Sequence, residues 1–268
     1  MSEKTSAPDG QAGLRQGQPS AAVHPSSPVP FPGTILRDGA RQSGPGHRRQ
    51  FIRPIGKRDP QLVRDALFTV FRDGTLHVVS EDYSYKSRSY YEILRHELDG
   101  SLVRPSSSAV LDAYVVPLCL EQARIAGIPV CPWEISQAYV PLPAIIYGLN
   151  YFATSSDFFV ARNTGEAKDI IKHVTNKGKY PFCYQKISGD ATIHSCTAVF
   201  GETSGTCGAV GPIAARIYEL FAIPLVRMIV VHDDSGYALS SLAPARYPEL
   251  SETERAELVS RIVGQEHL

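Results

Sequence analysis

The chain has 268 residues, with 27 basic and 27 acidic side chains and a formal net charge of zero. Balanced charge offers no bulk attraction to a polyanion, and no run reaches the roughly 18 apolar residues of a membrane span, so neither nucleic acid nor membrane is expected as a partner. Five cysteines (Cys119, Cys131, Cys183, Cys196, Cys207) are odd in number, widely spaced and without a CxxC pair. They read as reduced thiols of a cytoplasmic protein, not as structural zinc ligands.

Residues 1–58 are rich in Pro, Gly, Ser, Gln and Arg, with few aliphatics and no apolar period. Such a stretch buries too little apolar surface to offset chain entropy and is expected to be a disordered arm. It has no apolar h-region of a secretory signal. The basic cluster His47, Arg48, Arg49, Arg53, Lys57 and Arg58 solvates the hinge between arm and domain. Residues 59–268 suit one α/β module, with 59–140 and 141–268 as possible lobes.

Asp59 can cap a helix over 60–71, with Pro60 at its first position and Leu62, Ala66, Leu67, Val70 and Phe71 at helical spacing. Asp73-Gly74 turns the chain into a short strand, Leu76–Val79. The next stretch, Asp82 to Leu94, reads DYSYKSRSYYEIL, with a helix from Ser89 to Leu98 stopped by Asp99-Gly100. A strand at Leu102–Arg104, a long helix at Ser108–Ala126 and a buried strand at Ile128–Cys131 follow. This alternation predicts a layered unit with a small, mainly parallel sheet. Pro132–Ser156 reads as a loop with at most one short strand. The second half is expected to be α+β: strands at Asp157–Ala161 and Thr192–Phe200, and helices at Gly165–Thr175 (capped by Thr164) and Gly211–Phe221. Val226–His232 and Tyr237–Leu242 flank Asp233-Asp234-Ser235-Gly236 as a β-hairpin, and a capping box at Ser251 and Glu254 opens a C-terminal helix.

The candidate binding residues are Tyr83, Tyr85, Lys86, Ser87, Arg88, Tyr90 and Tyr91. Ligands gather where a strand ends and a helix begins, because backbone N–H groups and the helix dipole converge there. The same residues also read structurally, with Tyr90, Ile93 and Leu94 as a packing face and Ser87 or Ser89 as an N-cap. Three other places read more simply. FGETSGTCGAVGP, Phe200 to Pro212, has neither Walker A nor GxGxxG spacing and reads as a flexible connection. His194, Cys196 and Cys207 match no catalytic signature, and Asp233-Asp234 are turn formers.

The second half runs from a strand ending in Phe200-Gly201, through a glycine-bearing connection, to a helix carrying Ile217-Tyr218-Glu219-Leu220-Phe221. Pro224-Leu225-Val226-Arg227, the Asp233–Gly236 hairpin, Leu239–Pro244 and a capped helix follow. Together with YSYKSRSYYEILRHELDG (83–100) and VRPSS (103–107), this order resembles the RimK-like ATP-grasp N-terminal (RLAN) domain over roughly residues 75–262. The family's tyrosines, helix leucine and Pro-Ser match Tyr83, Tyr85, Tyr90, Tyr91, Leu94, Pro105 and Ser106. Two departures stand out: the chain ends after the module, without an ATP-grasp domain, and Val79–Asp82 replaces the family's Asn-Leu-Cys-Arg run.

The resemblance implies a non-catalytic accessory or substrate-recognition module working with a separately encoded ATP-grasp carboxylate–amine ligase. Its expected ligand is a peptide or amino acid, whose carboxylate Lys86 and Arg88 would attract. No cofactor or metal is expected: where an ATP-grasp ligase carries a late acid-x-Asn pair for magnesium, this chain has Leu239-Ser240-Ser241-Leu242. The alternatives are a divergent ATP-dependent carboxylate–amine ligase acting alone and a purely structural interaction protein.

Overall fold

A computed structural model describes residues 60–72 and 74–263. The expected arm, its basic cluster and the Asp59 cap lie outside the described residues.

The first unit is a hairpin, β1 (Leu67–Arg72) against β2 (Thr75–Ser80), in register Phe68 to Val79 and Val70 to His77. The helix expected over 60–71 is therefore replaced by a strand. Leu67-Phe68-Thr69-Val70-Phe71 is β-branched and aromatic, and its burial has period two: Val70 is buried while Phe71 is 68% exposed. Gly74, at φ +75°, supplies the left-handed turn residue. The chain then runs through α1 (Arg88–Leu98) to β3 (Val103–Arg104), which pairs parallel to β2. The small sheet β1-β2-β3 thus holds one antiparallel and one parallel pairing.

The long helix expected over Ser108–Ala126 is two helices, α2 (Ser107–Tyr114) and α3 (Val116–Ile125). Pro117 causes the break: it has no N–H for the Ala113 carbonyl, and its ring clashes with that carbonyl. Val115 is correspondingly extended, at φ −100° and ψ 103°. Ile128–Cys131 forms a single parallel bridge, Val130 to Leu239, instead of a full strand.

The Pro-rich middle holds two strands, β4 (Trp133–Ser136) and β5 (Ala144–Gly148). With β6 (Phe158–Ala161) and β7 (Phe182–Lys186) they form an antiparallel sheet in the order β4-β7-β5-β6. Between β6 and β7 lies α4 (Thr164–Val174). Its cap is Asn163, not Thr164: Asn163 Oδ1 accepts from Glu166 N, and Glu166 accepts in return from Arg162 N.

The second half follows its expected order. It consists of β8 (Thr192–Val199), a 3-10 turn at Gly205–Val210, α5 (Gly211–Phe221), β9 (Leu225–Asp233), β10 (Gly236–Ala243) and α6 (Glu252–Val263). The β9–β10 turn is fixed by Asp233 Oδ1 accepting from Ser235 N at 2.9 Å, with Gly236 at φ +108°. Ser251 and Glu254 form the reciprocal capping box of α6. One buried cluster runs from Val78 and Tyr83 through Leu120 and Tyr147 to Leu242, so the α/β layers share a core.

The expectation of five reduced thiols is corrected. Cys196 and Cys207 form a disulfide, Cα to Cα 5.7 Å, because the 3-10 turn folds the glycine-rich segment back onto β8. Cys119, Cys131 and Cys183 are free and buried. Among the described residues no helix is long and apolar enough to cross a membrane.

Candidate functional site

The tyrosine stretch spans the turn after β2 and the first two turns of α1. Its residues separate into two groups. Tyr83 is fully buried: its hydroxyl accepts from Ser80 N at 2.9 Å and donates to the Val78 carbonyl at 3.1 Å. Burial pushes its phenol pKa well up. Tyr83 therefore pins the turn from within the core. Ser87 is the N-cap of α1, accepting from Tyr90 N and donating to the Ser84 carbonyl. Ser89 donates to the Asp82 carbonyl. Tyr90 is half-buried against the core and edge-on to Tyr91 at 5.6 Å.

The outward group is Tyr85, Lys86, Arg88 and Tyr91. It meets residues that sequence reasoning missed, Tyr151 and Phe152 of the β5–β6 loop. Lys86 Nζ donates to the Tyr151 carbonyl at 2.8 Å. It also lies 4.1 Å from the Tyr151 ring centroid and 5.3 Å from that of Tyr85, a cation–π pairing with two rings. Tyr85 and Tyr151 are edge-on at 6.1 Å, and Tyr151 and Phe152 at 5.4 Å. Exposure is 39% for Tyr85, 63% for Tyr151 and 77% for Phe152, so three connected rings face solvent around one ammonium.

Asn150 builds the loop side. Its Oδ1 accepts from Phe152 N and Ala153 N, and its Nδ2 donates to the Val174 carbonyl at the end of α4. Asn directly before two aromatics was a readable sign of an Asx turn presenting them. Nothing in the sequence said which surface they would join.

The late hairpin is closed. Ser240 and Ser241 are fully buried, side by side at a bulge in β10. Tyr147 Oη lies 2.7 Å from Ser240 Oγ and 3.1 Å from Ser241 Oγ. Ser240 Oγ donates to Gln185 Oε1 at 2.6 Å, Gln185 Nε2 donates to the Ser240 carbonyl at 2.7 Å, and Ser241 Oγ donates to the Ser155 carbonyl. This neutral network stitches β5 and β7 to β10, and burial pushes the Tyr147 phenol pKa up. Among the described residues, no group of three or more His, Cys, Asp and Glu side chains could hold a metal.

The other candidates are structural. The Cys196 and Cys207 sulfurs are bonded to each other, and His194 Nε2 lies 2.9 Å from Thr192 Oγ1. The glycine-rich run Phe200–Pro212 forms the 3-10 turn and the first residues of α5. A cleft of about 610 Å³ bordered by Pro143, Val160, Arg162, 187–189 and 191–193 shares no residue with the aromatic surface or the hairpin network.

No family model matches the chain, and no curated protein matches it. Solved structures similar to it are ATP-grasp ligases. A RimK domain ATP-grasp protein from Sphaerobacter thermophilus aligns at 12% identity and TM-score 0.47, over 65% of this chain and 77% of that one. The ATP-grasp ligase PsnB, complexed with minimal precursor, Mg and ADP, aligns at 15% identity and TM-score 0.47, over 66% of each chain. D-alanine-D-alanine ligase from Helicobacter pylori aligns at 11% identity and TM-score 0.46, over 65% of this chain and 66% of that one.

Proposed function

We propose that this chain is a non-catalytic recognition module that works with a separately encoded ATP-grasp carboxylate–amine ligase and binds its peptide or amino-acid substrate. One observation carries the reading. Ser240 and Ser241, at the late hairpin where a self-contained ATP-grasp ligase would need its magnesium-binding acid and Asn, are sealed in a neutral buried network with Tyr147 and Gln185. A carboxylate and a metal ion would have to displace that network, at the cost of several unpaired buried polar groups.

Recognition falls to the aromatic surface. Tyrosine and phenylalanine rings offer large contact area with little rotamer entropy to lose. Lys86 uses one N–H on the Tyr151 carbonyl and keeps two for a ligand carboxylate. Arg88, exposed at the first position of α1, adds a guanidinium fork.

A thermal-shift series on the full chain tests this. A ligand raises the melting point in step with its excess over its dissociation constant. Magnesium-ATP is expected to give no shift. Short peptides with an aromatic residue and a free carboxylate are expected to give one, lost in Tyr151→Ala and Lys86→Ala. A shift with magnesium-ATP would overturn the reading in favour of a self-contained ligase. A chain that captures a ligase but responds to no peptide would be an interaction protein only.

A further inference from the structure

We propose a second ligand site, for a medium-chain aliphatic carboxylate, in the cleft of about 610 Å³ where the sheet β4-β7-β5-β6 meets the start of β8. It stands apart from the recognition reading and shares no residue with it.

Strand register builds the floor. Ala144 of β5 stands opposite Ala161 of β6 and Lys186 of β7. One step further on, Pro143 falls opposite Arg162, and its carbonyl accepts from Ile187 N at 3.2 Å. Residues opposite one another share a face, and so do residues two apart on one strand. Pro143, Arg162 and Ile187 therefore lie on the same face as Ile145 and Val160, which belong to the main core. The opposite face, that of Ala144, Ile146 and Ala161, packs against α4. Ala191 and Ile193, at the start of β8, form the facing wall. A turn closes one end, with Ala191 N donating to the Ser188 carbonyl at 3.2 Å.

The apolar lining, Pro143, Val160, Ile187, Ala191 and Ile193, is half-buried throughout, so each side chain keeps part of its surface for the cleft. The polar lining is sparse. Arg162 is exposed at the rim. The Glu166 carboxylate is taken by Arg162 N and Asn163 Nδ2, and among the described residues the Arg162 guanidinium has no ion pair or hydrogen bond. Thr192 Oγ1 is engaged with His194 Nε2 and the His232 carbonyl. Ser188 adds one hydroxyl, and the space around Gly189 is open.

An apolar slot with one uncommitted guanidinium at its rim fits a ligand with an aliphatic body and a single anionic end. The planar fork of arginine meets both oxygens of a carboxylate with parallel hydrogen bonds. The chain then removes the five apolar side chains from water. A peptide end is a poorer match, because its amide groups would have only the Ser188 hydroxyl among the lining side chains, and a desolvated amide without a partner is costly. The volume lies within the range of small-molecule sites.

Isothermal titration of the full chain at fixed ionic strength tests the proposal, with hexanoate, octanoate and decanoate as probes. Binding should be saturable and should tighten roughly tenfold for each added pair of methylenes, the scale of burying them. Arg162→Gln, at an exposed position, should weaken octanoate about tenfold or more, since a charge-assisted hydrogen bond contributes on that scale. The same change should leave octanamide, which has the chain without the charge, unaffected. Lys186→Gln removes a neighbouring cation whose side chain leaves on the α4 face, and should leave octanoate binding unchanged. No saturable heat from decanoate at millimolar concentration would overturn the proposal. Equal octanoate binding by wild type and a normally melting Arg162→Gln would overturn it as well, and so would affinity independent of chain length. N-acetyl-leucine binding more tightly than octanoate would overturn the aliphatic acid in favour of a peptide end.

Discussion

Lys86 Nζ and the Tyr151 carbonyl lie 2.8 Å apart, joining two segments 65 residues distant in sequence. This bond and the two ring contacts hold the β5–β6 loop against the turn before α1. Lys86→Met keeps the aliphatic stem and removes the ammonium. It should change global stability by less than about 1 kcal/mol, as expected for an exposed cation–π and hydrogen-bonded group. Amide exchange at 151–153 should nevertheless accelerate, because this part of the loop would lose its hydrogen bond to the turn before α1 and keep Asn150 and the Tyr85 ring contact. Unchanged exchange would show that the lysine does not restrain the loop.

Tyr147→Phe addresses the buried network. The substitution leaves Ser240 and Ser241 short of a partner in a dry core, which costs about 1–3 kcal/mol. Urea unfolding should report this as a lower midpoint with an unchanged slope. Ser240→Ala combined with Tyr147→Phe should be less destabilised than the sum of the single changes, since the two groups share one contact. Strict additivity would show that the network is not coupled. Ser240→Glu should destabilise strongly, because no basic side chain belongs to the network to offset its charge, and should create no magnesium binding, because no second carboxylate belongs to it.

The parts of the fold that sequence made legible are those governed by neighbours in the chain. Ser87 caps α1, the Ser251 and Glu254 box opens α6, and Asp233 to Gly236 turns a hairpin, each through contacts a few residues apart. Leu67–Phe71 satisfies a helical and a strand period at once, and only pairing with β2 decides between them. Pro117 lies inside the apolar pattern that predicts one helix over Ser108–Ala126, and its missing N–H is the local signal of the break. At the aromatic surface, Tyr85, Lys86 and Arg88 were legible from their place between strand and helix. Tyr83 stands among the candidate binding residues, and its burial, set by hydrogen bonds to the Val78 and Ser80 backbone, has no signal in the sequence. Tyr151 and Gln185 joined their networks across separations of 65 and 55 residues, for which a single sequence carries no signal.

Gly201→Ala should be among the most damaging small changes. It places a side chain at φ +81° and drives its Cβ to 2.7 Å from Tyr218. Strain and overpacking together should cost more than about 2 kcal/mol. Gly178→Ala makes the comparison, because Gly178 has a similar φ of +85° and open space around its Cα. It should cost only about 1 kcal/mol, the backbone part alone. Similar losses for both in thermal unfolding would remove the packing argument.

Maleimide labelling of the native chain should find few reactive thiols. Cys196 and Cys207 are bonded, and Cys119, Cys131 and Cys183 are buried. Burial pushes the Cys131 and Cys183 thiols up to about 12, far from the thiolate that reacts. Mild reductant should add label at the half-buried Cys207 before any of the three core thiols. Label on Cys183 in the unreduced native chain would contradict the packing of β7.

Tyr184 and Glu134 give a pH signature. Tyr184 Oη donates to Glu134 Oε2 at 2.5 Å across β4 and β7, and this bond to a carboxylate, with burial, pushes the phenol up to about 12. The folded value lies above the roughly 10 of a free tyrosine, so the folded chain holds this proton more tightly than the unfolded one. The contribution is therefore complete below about pH 10 and is lost as pH rises towards 12. Wild type should exceed Glu134→Gln in stability at pH 8, and the gap should close as the solution becomes alkaline. Absorbance of tyrosinate, taken as the difference between wild type and Tyr184→Phe, should show a late ionisation that moves down in Glu134→Gln. A Tyr184 titration unaffected by that change would mean that the bond across β4 and β7 does not set its pKa.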